Sequence, residues 1–75
     1  MSKPNLAVLH EALFASDLQS SQRPSPADVR SAIDRTLVTL GVAQCVGRVA
    51  QEFGDHPETA IARMRWATDA VATAY

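Results

Sequence analysis

The stretch Val29–Phe53, VRSAIDRTLVTLGVAQCVGRVAQEF, holds two apolar stripes either side of a glycine, and the way they join decides the fold. Val29, Ala32, Ile33, Thr36, Leu37 and Leu40 recur at three and four residues, the spacing that lines one side of an α-helix. Val42, Cys45, Val46, Val49, Ala50 and Phe53 repeat the pattern. At about 100° per residue, an unbroken helix would point the second stripe about 150° to 200° away from the first. Both stripes meet one core only if the chain turns at Gly41, where glycine reaches positive φ at little cost. The stretch therefore predicts two helices, about 26–40 and 42–53.

Upstream, Ser25 is placed to cap the first of these, with Pro26 at its first position and Asp28 three residues after the cap, against free amides and the positive dipole end. Before it lies SSQRPSP (Ser20–Pro26), whose two prolines cannot continue a helix and which suits a loop or hinge. Earlier still, a helix is predicted over about 5–19. Leu6, Leu9 and Leu13 form one row and Ala7, Phe14 and Leu18 a second, with His10 and Asp17 between them. The seven-residue spacing of His10 and Asp17 puts them on nearly one line, as expected of a half-buried helix whose polar tips reach water.

Downstream, Asp55 and Glu58 have capping-box spacing and Pro57 belongs in a first turn, so a last helix runs over about 57–75. Ile61, Met64, Thr68, Val71 and Tyr75 line one side of it, with Ala60 and Ala67 beside them. Trp66 points elsewhere, about 140° to 180° from that stripe by helical arithmetic, on a face with Thr59, Ala62, Ala70 and Thr73.

No segment alternates with a period of two, so the fold class is all-α. The expectation is a small bundle of three core helices drawing on the Val29, Val42 and Ile61 stripes, with an N-terminal helical arm (about 5–19). A single domain is expected, divided into an amphipathic helix and Ser/Pro hinge over 1–24 and a three-helix core over 25–75.

A chain of 75 residues with 47% hydrophobic and 20% charged residues has the composition of a small folded domain. Alanine at thirteen positions favours helix. Arginine supplies six of the seven basic residues, which fits a GC-rich bacterial genome. Seven basic against eight acidic residues leave a net charge of -1 with no basic or acidic pole, so nothing draws the chain strongly to nucleic acid or anionic lipid. One cysteine allows no internal disulfide, and no apolar run reaches the roughly 20 residues of a membrane span, so a cytoplasmic location is expected. A domain this small gains little net stability from its own core, which makes self-association as a dimer plausible.

Chemistry-bearing motifs are sparse. His10 and Glu11 lack the second histidine of a zinc protease pair, because Phe14 stands there. Asp55, His56 and Glu58 read as helix caps, and Cys45 as a small core residue with no adjacent base to favour a thiolate. No phosphate loop, paired cysteines or nucleophile elbow is present, so neither an enzyme, nor a cofactor, metal or small-molecule substrate is expected.

Trp66 is the residue most indicative of function. A tryptophan among small residues lets another helix approach closely, and such rings anchor protein interfaces. The first segment covers that face in its own chain or in a neighbour's. The expected role is a helical interaction or regulatory module that self-associates or binds a protein partner. Its surface would be Trp66, Ala62, Ala70 and Thr73 with Leu6, Leu9, Leu13 and Phe14.

A second reading rests on residues 46–65, VGRVAQEFGDHPETAIARMR. Ala50 lies inside a first helix, Phe53-Gly54 leads into a turn, and Pro57-Glu58-Thr59 opens a second helix. This resembles the helix-turn-helix of many bacterial regulators, which implies DNA binding through His56, Thr59, Arg63 and Arg65. The sequence departs from that pattern at Asp55, where an aliphatic residue is usual, at the small Ala60, and at Arg63, whose place is normally apolar. The low positive charge also disfavours it, because duplex binding rests on several phosphate contacts.

Overall fold

Helix α1 (Leu6–Ala15) begins at Asn5, whose side-chain oxygen accepts from the Ala7 amide at 2.9 Å. In this computed structural model, which describes residues 5–75, the helix stops short of the predicted Gln19. The first four residues of the 1–24 segment lie outside the described residues. Ser16 ends the helix: its hydroxyl donates to the Leu13 carbonyl at 2.6 Å and accepts from the Leu18 amide at 3.3 Å, local bonds that compete with another helical turn. A single 3-10 turn (Ser20–Gln22) follows, and Arg23 takes a left-handed conformation, φ 49°.

Helix α2 (Pro26–Asp55) starts with the predicted cap. Ser25 Oγ accepts from the Asp28 amide and Asp28 Oδ2 from the Ser25 amide, each at 3.1 Å, with Pro26 in the first turn. Gly41 interrupts it with φ 77° and ψ 165°, a combination essentially restricted to glycine. An unbroken helix of this length would be about 45 Å long, but the described residues extend only 35 Å, so the rod bends at Gly41. The second half runs through Gly54, past the predicted end, to Asp55. His56 alone (φ -140°, ψ 66°) joins it to helix α3 (Pro57–Ala74). At the far end, Arg30 Nη1 donates to the Ala74 carbonyl at 2.9 Å, so α3 returns to the start of α2 and closes the path.

Among the described residues the fold is an all-α bundle in which α1, α2 and α3 all pack against one another. Its core joins Leu9, Ala12 and Leu13 of α1 with Val29, Ala32, Ile33 and Cys45 of α2 and Ala67, Val71 and Ala74 of α3. Thr36 is the buried polar residue, and its hydroxyl is satisfied by the Ala32 carbonyl at 2.7 Å.

Two expectations about the core are corrected. The first helix is built into it, since Leu13 and Phe14 are buried, so it is no appendage on a separate three-helix unit. The Val42 and Ile61 stripes mostly lie outside: of the first only Cys45 is fully buried, and Ile61, Thr68 and Tyr75 of the other are exposed. The cause is steric. With α1 supplying Leu9, Leu13 and Phe14, the opposite wall must be thin, and α3 presents its alanines Ala60, Ala67 and Ala74. That rotation leaves the larger residues of α3 on its flanks.

Candidate interaction surface

Arg63 organises one side of the molecule. Its Nε donates to the Phe14 carbonyl at 2.8 Å, and Nη2 donates to Ser16 at 2.9 Å, Leu18 at 3.0 Å and Leu13 at 3.4 Å. The Phe14 carbonyl belongs to the last turn of α1 and those of Ser16 and Leu18 to the segment just after it, near the negative end of the helix dipole where a cation is favoured. The Leu13 carbonyl is shared with the Ser16 amide and hydroxyl. The guanidinium carbon also lies 5.8 Å from the Phe14 ring centroid and 5.1 Å from that of Trp66. Burial pulls the pKa of Arg63 below its ordinary value. Arginine nevertheless keeps its charge in proteins, and the carbonyls around it suit that charge.

This arrangement divides the expected Trp66 surface. Leu9, Leu13 and Phe14 face inward and offer nothing to a partner, while Leu6 is exposed. Trp66 and Ala70 are half-buried against the core, and Ala62 and Thr73 are exposed. The indole borders a shallow recess lined by Gln19, Ser20, Thr59, Ala62 and Arg63, so the segment after α1 borders the same face.

The helix-turn-helix set is divided as well. His56, Thr59 and Arg65 are exposed, but Arg63 is held by α1, and Gly54 stays helical where a turn was expected. Asp55, His56 and Glu58 are exposed at the α2–α3 junction, and among the described residues no three His, Cys, Asp or Glu side chains are placed to hold a metal ion. His10 is half-buried, and Asp17 is exposed and 3.9 Å from Arg35. Burial, with Glu11 adding to it, pushes the pKa of the Cys45 thiol up, so the group is a neutral core residue. No described helix is long and apolar enough to cross a membrane.

The apolar surface lies elsewhere. Val42 (49% exposed), Val46 (45%) and Phe53 (37%) follow one line along the second half of α2. Phe53 stacks on Phe14 with centroids 6.0 Å apart and planes at 20°, so one face of the ring is seated in the fold and its rim stays outside. From there it forms one wall of an open groove with Ile61 (44% exposed), Met64 and Thr68, edged by Arg65 and Asp69. Among the described residues the only ion pair is Arg35 with Asp17, so Arg65 and Asp69, four apart on α3, do not pair with each other.

No family model, curated protein or solved structure matches this chain.

The functional reading of this surface therefore rests on its own residues. Sequence periodicity assigned Val42, Val46, Phe53 and Ile61 to the interior, and the surface they form was missed for that reason. One signal was available: the chain carries four apolar helical faces, more than a single small core seats. Which face is left over depends on packing.

Proposed function

We propose that this chain is a non-enzymatic helical interaction module, acting by self-association or by docking a protein partner, as the sequence anticipated, but through a different surface. Val42, Val46 and Phe53 of α2 and Ile61 of α3 form the contact face. The supporting observation is that these four large apolar side chains remain well exposed while much of the core is built of alanine. Apolar surface grouped in this way, with a charged edge at Arg65 and Asp69, is characteristic of contact sites. The near-neutral net charge sets up little repulsion against a partner.

Site-specific photo-crosslinking tests the assignment. A photoreactive residue at Val46 or Phe53, in protein produced in cells, is expected to yield discrete adducts on illumination, whereas the same residue at exposed Gln22 yields none. Absence of adducts from both positions, or equal adducts from Gln22, overturns the reading.

A further inference from the structure

We propose that the outer face of α3 pairs antiparallel with α3 of a second copy of this chain, about a two-fold axis near Thr68, with Arg65 of each copy opposite Asp69 of the other. This rests on the interaction-module reading and names a partner for its α3 edge, at Ile61, Arg65 and Asp69; Val42 and Val46 are not part of the seam. Ile61, Arg65, Thr68, Ala72 and Tyr75 are all exposed, at spacings of four, three, four and three. That is the repeat by which two helices keep one seam in register. The pattern is also balanced: Ile61 and Tyr75 lie seven residues either side of Thr68. A two-fold there sets Ile61 of one copy against Tyr75 of the other, twice, as an isologous contact requires. Thr68 and Ala72 are small and let the backbones approach.

The charges obey the same symmetry. Arg65 lies three residues before Thr68 and Asp69 one after, on the same flank of the stripe. In an antiparallel pair they are offset along the axis by two residues, about 3 Å, which the side chains span. Each chain thus carries a cation and an anion, unpaired with each other, that find complements in its copy. A foreign helix would satisfy this arrangement only by carrying the same pattern in reverse.

Light scattering after size exclusion, from about 10 µM to 1 mM, tests the pairing. The wild-type mass should rise towards twice 8.1 kDa with concentration. Arg65→Asp and Asp69→Arg, each at an exposed site and checked for helicity, should both return it to the monomer. An equimolar mixture of the two variants should regain the doubled mass, because one face is then wholly acidic and the other wholly basic. As a second measurement, Thr68→Cys should be joined to its copy by a short bis-maleimide, while Thr73→Cys should not. A monomeric wild type at all concentrations, a dimer indifferent to both reversals, or a mixture that stays monomeric overturns the pairing. Photo-adducts at Val46 with other proteins would in that event leave the interaction reading standing, and absence of adducts would remove both.

Discussion

Arg63 of α3 donates to the carbonyl of Phe14 in α1 at 2.8 Å while its guanidinium lies within 6 Å of the same residue's ring centroid, at 5.8 Å. One side chain thereby binds the end of α1, docks it and seats Trp66. Arg63→Ala strips several carbonyls of a charged donor and is expected to cost about 2–3 kcal/mol. Arg63→Lys, a point charge without the planar fork, is expected to lose less but still measurably. Urea unfolding followed by Trp66 fluorescence checks both, and equal stability of Arg63→Ala and wild type would show that α1 is held by its leucines alone.

At Gly41 the cost of a side chain is separable from crowding. An added Cβ would meet no atom within 4 Å, yet the backbone sits at φ 77° and ψ 165°. Gly41→Ala is therefore expected to destabilise by about 1–3 kcal/mol through backbone strain alone. Thermal unfolding reads the loss, and an unchanged midpoint would mean that the bend does not need glycine.

The Ser25–Asp28 capping box makes a smaller, well-bounded prediction. Ser25→Ala should cost about 1 kcal/mol and Ser25→Gly only a few tenths. Both sites are exposed, so packing does not confuse the comparison. Denaturation midpoints of the two variants should rank in that order.

Cys45 predicts a pH dependence. Folding raises its pKa, so the folded protein holds the thiol proton more tightly than the unfolded chain does. The stability so gained is complete below the unfolded-chain pKa and is lost as pH rises through about 8.5–9 towards the folded value. Tyr75, also raised by burial and by Asp34, acts in the same direction in the higher phenol range. Chemical denaturation at pH 7 to 10 should show a decline that starts earlier in wild type than in Cys45→Ala. Parallel declines would assign the effect to Tyr75 or to net charge.

The legibility of the fold followed the range of the physics. The cap at Ser25 and the start of α3 at Pro57 were readable because each depends on residues within one turn of itself, although the capping box expected of Asp55 and Glu58 does not form and His56 stands at the cap without a side-chain bond. The break at Gly41 was read from the phase of the stripes on either side of it. The end of α1 was misplaced by four residues because Ser16 diverts its hydroxyl to Leu13, a bond that periodicity does not register. Trp66 lies half-buried against the core, and the cover it finds depends on Arg63, forty-nine residues from Phe14 in sequence. No local pattern distinguishes an arginine that reaches solvent from one that docks onto the end of another helix.

By itself the sequence determined that the chain is helical, where it bends, and that it has more apolar faces than one small core accepts. Only the tertiary structure decided which face is left outside. Periodicity defines a stripe relative to its own helix axis and says nothing of how helices rotate against one another. Here α1 filled the interior with leucine and phenylalanine, so α3 turned its alanines inward and carried Ile61, Arg65 and Asp69 to the surface.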